Sequence, residues 1–88
     1  MDLSTGIWTP HALEQIAVRR VSREAVEAVL QAPVDVEEIR KGRVVATSPL
    51  QIDGKSYLIR VFVDVDRTPP EIVTAYRTRK IHKYGGQP

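Results

Sequence analysis

The clearest secondary-structure signal in the chain is the stretch SYLIRVFVDV, residues 56–65. Apolar or aromatic residues occupy every second position, as expected for a β-strand, whose side chains point alternately to its two faces. The intervening positions also carry apolar groups, but they alone carry charge, at Arg60 and Asp64. Apolar groups on both faces suit a strand inside a sheet, with one face covered and the other partly open. We therefore predict a central strand at residues 56–65.

Two hairpins are predicted around this strand. Asp53-Gly54, shortly before it, is a dipeptide typical of two-residue hairpin turns. Residues 34–38 and 43–47 also alternate and are separated by Lys41-Gly42, which indicates an earlier hairpin. The connections are short, and this favours antiparallel pairing, because a parallel neighbour needs a longer crossover.

The last predicted strand covers residues 71–77, and a short strand at residues 6–8 has a weaker signal. We therefore expect a sheet of three to four strands. Strict alternation gives the last strand two faces, with Val73 and Ala75 on one and, on the other, Ile72, Thr74 and Tyr76.

Two short helices precede the strands. Thr9 can cap the first helix, and Pro10 at its first position gives up an amide that has no partner there, so the pattern predicts a helix over residues 10–18. Ser22 caps a second helix. Because only residues 19–21 join the two, one of them should have a positive φ, which costs a non-glycine residue about 1 kcal/mol. The expected fold class is α+β, with both N-terminal helices packed on one face of the sheet.

The length of the chain, residues 1–88, predicts a single domain. Hydrophobic residues make up 42% and charged residues 27%, which is ordinary for a globular domain. There is no cysteine, so disulfides and thiolate zinc sites are excluded and a reducing, cytoplasmic setting is expected. No apolar run approaches the roughly 18 to 20 residues that cross a bilayer, and the N-terminus lacks a signal-peptide pattern. We expect neither membrane insertion nor export.

Positive charge is concentrated towards the C-terminus, where residues 78–88 form a basic tail. The formal net charge of the whole chain is only +2. From residue 77 onward there is no carboxylate side chain, and the basic residues are Arg77, Arg79, Lys80 and Lys83. A phosphate backbone is attracted by such a segment. A solvated tail that serves solubility is the alternative.

The sheet face opposite the helices carries the candidate binding groups. If Val61 and Ala75 lie beneath the helices, alternation brings together on the other face Arg60, Phe62, Thr74 and Tyr76. A cation, two aromatic rings and a hydroxyl suit single-stranded RNA, whose bases stack on rings while guanidinium groups hold its phosphates. A half-exposed face with ordinary cross-strand pairs is the alternative.

The two histidines are candidate acid–base groups. His11 lies in the first turn of the first predicted helix, where free backbone amides favour an anion and a neutral imidazole could act as a base. An exposed first-turn residue without a role is the alternative. His82 in the tail could share acid and base roles with His11 in cleaving RNA through its 2′-hydroxyl. Neither has a carboxylate cluster beside it, and we expect no metal and no cofactor.

Further short motifs lie along residues 7–84: Trp8-Thr9-Pro10-His11-Ala12-Leu13-Glu14, Arg19 with Val21-Ser22, Leu30 with Pro33, Gly42-Arg43, and Ile72-Val73-Thr74-Ala75-Tyr76. Together they resemble a widespread bacterial family of unknown function, typified by His-Ala-Leu-Glu-Arg, Arg-Gly-Ile-Ser and Val-Thr-Val-Tyr segments. That family looks related to the RelE/ParE and BrnT-like toxins and to the barnase/colicin-type ribonuclease fold. Arg20 departs from its pattern, which usually has glycine there.

The resemblance implies a RelE-like fold with a curved antiparallel sheet, and a toxin-like endoribonuclease that needs no metal and is covered by an antitoxin protein. The implied catalytic residues are His11, Arg19, Arg60 and Tyr76. The expected RNA-binding residues are Phe62, Thr74, Arg77, Arg79, Lys80, His82 and Lys83. A shared fold hosts different functions, so a non-catalytic nucleic-acid or protein binding module and a gyrase-directed toxin remain alternatives.

Overall fold

The computed structural model describes residues 3–79. In chain order its elements are β1 (Ile7–Trp8), α1 (Pro10–Val18), α2 (Arg23–Gln31), β2 (Asp35–Arg40), β3 (Arg43–Ile52), β4 (Lys55–Asp64) and β5 (Glu71–Thr78). The five strands form one sheet in the order β1-β5-β4-β3-β2. The predicted α+β class and the central place of the strand are confirmed, and the strand covers residues 55–64 rather than 56–65.

The sheet has five strands rather than three to four, and it is mixed rather than antiparallel throughout. β1 lies parallel to β5, with Ile7 beside Glu71 and Trp8 beside Ile72. The Ile7 amide donates to the Pro70 carbonyl at 2.9 Å. Short connections favour antiparallel pairing only between strands that are consecutive in the chain. β1 and β5 are the first and last strands, so the whole intervening chain serves as their connection.

Both helices begin at the predicted caps. Thr9 Oγ1 accepts a hydrogen bond from the Ala12 amide at 3.1 Å, and Ser22 Oγ accepts one from the Ala25 amide at 3.0 Å. Between the helices, Arg20 has a φ of 57°. The positive φ expected for this link therefore falls on an arginine, where a glycine would avoid a strain of about 1 kcal/mol.

The core lies between the helices and one face of the sheet. α1 packs on β5, and α2 packs on β4 and β3. Ala12 and Ile16 are the buried residues of α1, whereas Leu13 is 39% exposed. The central strand contributes fully buried side chains at every second position: Ile59, Val61 and Val63. Packing of both helices on one face is thus as expected.

A β-bulge in β5 changes the facing of its first residues. Thr74 pairs with Phe62, but Ile72 pairs with the very next residue of β4, Val63. Val73 is therefore an extra residue in β5, so the residues before it point to the opposite face from the one that strict alternation predicts. As a result Ile72, which is 1% exposed, lies in the core beneath the helices. The prediction that placed it on the opposite face was wrong.

The β3–β4 hairpin turns at Asp53 and Gly54, whose φ values of 52° and 77° are both positive, as the turn type predicted from this dipeptide requires. β3 continues through Pro49 to Ile52, beyond the predicted end of this strand. β2 pairs with β3 only as far as Thr47. Pro49 therefore lies where β3 has one outer edge, and a missing amide hydrogen there breaks no ladder between strands.

The far edge of the sheet is β2, all six residues of which are exposed. Three of them are acidic: Asp35, Glu37 and Glu38. Charged side chains on an edge strand oppose pairing with the edge of another sheet. This edge is therefore protected by its charge.

An ion pair joins the two ends of the β3–β4 hairpin. Arg43 Nε donates to Asp64 Oδ1 at 2.7 Å, and Arg43 Nη2 donates to Asp64 Oδ2 at 3.2 Å. The two side chains are 26% and 12% exposed. The hydrogen bond from Arg43 holds the pKa of Asp64 below its ordinary value of 3.8, against the opposing effect of burial.

Because the pKa of Asp64 is lower in the folded state, the pair stabilises the fold fully above about pH 4 and loses this contribution as the pH falls through the folded-state pKa. We expect Asp64→Asn to lower the free energy of unfolding at neutral pH by about 2 kcal/mol. The difference from wild type should shrink as the pH falls below about 4 towards the lowered pKa of Asp64, because wild type then loses the contribution of the ion pair. Urea unfolding at neutral pH and at a pH below about 4 checks this, with Asp35→Asn, at an exposed residue, as the control. An equal difference in the free energy of unfolding between Asp64→Asn and wild type at the two pH values would contradict the prediction.

Candidate functional site

Four side chains from two strands and one helix end meet at one end of β5. Arg60 of β4 pairs directly with Tyr76 of β5, and Phe62 lies two residues along β4 on the same face. Arg19 is the C-cap residue of α1. We call these four residues, Arg19, Arg60, Phe62 and Tyr76, the Tyr76 cluster. Arg60, Phe62 and Tyr76 were predicted to share a sheet face, and the structure confirms that they do.

The Tyr76 side chain is the centre of this cluster. Arg60 Nη1 donates a hydrogen bond to Tyr76 Oη at 2.7 Å. The Phe62 ring lies against the Tyr76 ring, with centroids 5.9 Å apart and planes inclined by 23°. The guanidinium carbons of Arg60 and Arg19 each lie 5.8 Å from the Tyr76 centroid. Two cations thus contact one phenol ring, an arrangement that cation–π attraction stabilises.

Arg19 reaches Tyr76 because of how α1 ends. α1 packs on β5, and the chain turns away immediately after Arg19, at the positive φ of Arg20. β1 flanks β5 only at Glu71 and Ile72. In the described part of the chain, β5 is therefore the outer strand beside Tyr76, and an exposed arginine at the helix end can contact its ring.

The face that carries the cluster is only partly open. Val45, opposite Phe62, is fully buried, and Thr47, opposite Arg60, is 6% exposed. Arg60, Phe62 and Tyr76 are half-buried. Partial burial restricts the rotamers of these side chains, so their polar groups are held in place while part of each surface remains accessible.

Thr74 occupies this face beside Phe62, and its hydroxyl oxygen is buried without a hydrogen-bond partner within residues 3–79. A buried hydroxyl that makes no hydrogen bond loses its hydration without a compensating interaction, and this lowers the stability of the fold. We expect Thr74→Val to raise the free energy of unfolding by about 1 kcal/mol, measured by urea denaturation. Thr47→Val, on the same face, is the comparison. Destabilisation by Thr74→Val alone would mean that the hydroxyl has a partner in solution.

His11 is not part of the cluster. It is exposed in the first turn of α1, eight residues before Arg19, which corresponds to about 12 Å along the helix axis. Among the described residues, no hydrogen bond, ion pair or ring contact joins it to Tyr76. Its role as a base stays a prediction. Lys80, His82 and Lys83 lie outside the described residues.

Arg77 and Arg79 lie on the other face of the sheet from Tyr76. Their guanidinium carbons are 4.8 Å and 5.8 Å from the centroid of the Tyr57 ring, which packs against the edge of the core. Arg77 and Arg79 are among the predicted RNA-binding residues, whereas Tyr57 is not. The strand register identifies it, because Arg77 pairs with Ile59 and therefore lies diagonally across from Tyr57.

Within residues 3–79, no three His, Asp or Glu side chains are grouped as ligands for a metal ion. None of the helices in this part of the chain has the length and apolar character that crossing a bilayer requires.

Comparison with known proteins gives one match. Residues 8–77 match the model of a family described as a domain of unknown function, DUF4258. No curated protein and no solved structure matches the chain. The match covers the Tyr76 cluster and every helix and nearly every strand residue described above.

Proposed function

The chain belongs to the DUF4258 family, and from the Tyr76 cluster we propose that it is a toxin-like endoribonuclease that cleaves single-stranded RNA through the 2′-hydroxyl without a metal. The observation that carries the proposal is the convergence of two arginines on Tyr76, one of them hydrogen-bonded to its hydroxyl at 2.7 Å. Kinship with the RelE/ParE and BrnT-like toxins is part of the proposal and rests on the motifs alone.

The cluster has the groups that binding of single-stranded RNA requires. Unpaired bases stack on aromatic rings, and Phe62 and Tyr76 offer a nearly parallel pair on a half-buried face. Guanidinium groups bind phosphate oxygens through two parallel N–H donors. Arg19 enters from the helix end and Arg60 from the neighbouring strand, so a phosphate beside Tyr76 would be contacted from two sides.

The cluster also has groups suited to cleavage. In this reaction the 2′-oxygen attacks phosphorus, the bond to the 5′-oxygen of the next nucleotide breaks, and a 2′,3′-cyclic phosphate remains. Arg19 and Arg60 would stabilise the negative charge that develops on the phosphate oxygens. The Tyr76 hydroxyl accepts from Arg60, so its own hydrogen is directed elsewhere and can pass to the leaving 5′-oxygen. The 2′-hydroxyl proton would pass to water, since His11 lies outside the cluster.

A non-catalytic binding module is the second candidate. The observation in its favour is that, within residues 3–79, the hydrogen bond to the Tyr76 hydroxyl comes from Arg60 and not from a histidine or a carboxylate that could act as a base. Such a module would use the same rings and guanidinium groups to bind RNA without cleaving it. In the toxin reading, an antitoxin protein would cover the Tyr76 cluster.

The purified full chain incubated with end-labelled single-stranded RNA and excess chelator tests the proposal. We expect cleavage that is unaffected by the chelator and products ending in 2′,3′-cyclic phosphate. The same RNA carrying 2′-O-methyl groups should be bound but not cleaved, because its 2′-oxygen cannot attack. Binding without products would establish the non-catalytic module, and loss of cleavage with the chelator would overturn the metal-independent mechanism.

A further inference from the structure

A second arginine–tyrosine cluster lies next to the first. We call Tyr57, Arg77 and Arg79 the Tyr57 cluster: Tyr57 lies on the helix-side face of β4, Arg77 lies near the end of β5, and Arg79 directly follows β5. Tyr76 and Arg77 are consecutive residues of β5, so their side chains point to opposite faces while their Cα atoms are only about 3.8 Å apart. The two clusters therefore lie back to back across the same outer strand.

The described arginines contact two kinds of partner, carboxylates and aromatic rings, and Arg23 contacts both, since its guanidinium carbon also lies 5.4 Å from the centroid of the Trp8 ring. Arg23, Arg43 and Arg67 each form an ion pair with a carboxylate. Arg77 and Arg79 contact the Tyr57 ring instead, and within residues 3–79 neither forms an ion pair with a carboxylate. A guanidinium group held against a ring keeps its N–H donors at the edge, where an anion can reach them. The positive charge of the Tyr57 cluster is thus available to an external anion.

The edge of β5 offers a route between the clusters. Beyond Ile72, no described strand lies on the outer side of β5, because β1 pairs only with Glu71 and Ile72. A flexible single strand can therefore pass around this edge and contact Tyr76 on one face and Arg77 on the other. Double-stranded nucleic acid is too stiff to bend around a single β-strand.

Building on the proposed function, we propose that the Tyr57 cluster is a second subsite that binds phosphates of the same single-stranded RNA. In this arrangement the Tyr76 cluster holds the nucleotide at the cleavage position. Arg77 and Arg79 hold the backbone several nucleotides away, after the strand has crossed the β5 edge. The site therefore selects extended single strands over dinucleotides and over duplexes.

Binding of fluorescent 2′-O-methyl RNA, which cannot be cleaved through the 2′-oxygen, tests this separately from catalysis. Fluorescence anisotropy would compare oligonucleotides of about 4 and about 12 nucleotides. Arg77→Gln/Arg79→Gln is compared with Arg40→Gln/Lys41→Gln, which removes the same charge at the distant β2–β3 turn. The single variant Arg79→Gln, at an exposed residue, guards against misfolding of the double variant.

Wild type should bind the 12-nucleotide RNA more tightly than the 4-nucleotide RNA, and we expect this ratio of affinities to fall about 10-fold or more in Arg77→Gln/Arg79→Gln. The slope of log affinity against log salt concentration should become shallower by about 1.4 in the double variant and by about 0.7 in Arg79→Gln. The control pair should leave both unchanged. Equal losses in the two double variants would overturn the subsite, and so would competition by polyaspartate as strong as that by RNA. Length-dependent binding through Arg77 and Arg79 without cleavage would overturn only the proposed catalysis. Failure of wild type to bind either RNA would overturn both the proposed function and the second subsite.

Discussion

Replacement of Arg60 by methionine is expected to lower the rate of RNA cleavage by about 100-fold or more, because removal of one positioned donor to the developing charge of an oxyanion costs about that much. Arg60 is the residue whose loss removes the most from the cluster. It donates to Tyr76 Oη and lies over both aromatic rings. Methionine keeps a long, flexible side chain in the half-buried site while removing the charge.

Three comparisons make this result specific. Arg60→Lys keeps the charge but not the planar pair of donors, so its activity should lie between those of wild type and Arg60→Met. Arg40→Met removes an exposed arginine from β2 and should leave cleavage unchanged. His11→Ala should keep activity within a few-fold of wild type. A loss of activity in His11→Ala as large as that in Arg60→Met would indicate that His11 acts as the base. Full activity of Arg60→Met would show that Arg60 does not take part in cleavage.

Truncation of Ile72 to alanine should lower the free energy of unfolding by about 3 kcal/mol, whereas Val73→Ala should cost about 1 kcal/mol or less. Ile72 is 1% exposed in the core, and Val73 is half-buried at the bulge. For a domain of this size the first value is a large part of the total stability. Urea denaturation of both variants measures the difference.

The comparison of Ile72 with Val73 tests the bulge, because a strand without a bulge would make Val73→Ala the more destabilising of the two substitutions. If β5 had no bulge, Val73 would lie in the core with Ala75, and Ile72 would lie on the other face. A larger loss for Val73→Ala than for Ile72→Ala would therefore contradict the bulge. Ala75 belongs to the core in either case and is not informative.

The parts of the fold that could be predicted from sequence are those determined by neighbouring residues. Thr9 and Ser22 cap helices because a side-chain oxygen can satisfy a free amide three residues later. Asp53-Gly54 turns the hairpin because both residues tolerate positive φ. Even the strain at Arg20 follows from the shortness of the link between the helices.

The missed features depend on partners distant in sequence. β1 has two residues and is a strand only because β5 lies beside it. The bulge at Val73 has no signal in its own residues, since each side chain there is compatible with a regular strand. Of the candidate site, the alternation of β4 and the end of β5 was enough to bring together Arg60, Phe62 and Tyr76. Tyr57 could be identified only from the strand register.

The acidic edge strand has a further consequence when it is considered together with the arginines. Asp35, Glu37 and Glu38 lie on β2, and the arginines that contact Tyr76 and Tyr57 lie on or beside β4 and β5, up to three strand spacings or about 14 Å away. Among the described residues the two sides of the sheet therefore differ in charge, although β2 also carries Arg40 and β5 carries Glu71. Towards the proposed RNA ligand, such an asymmetry would orient the polyanion before contact, and this effect would weaken as salt rises.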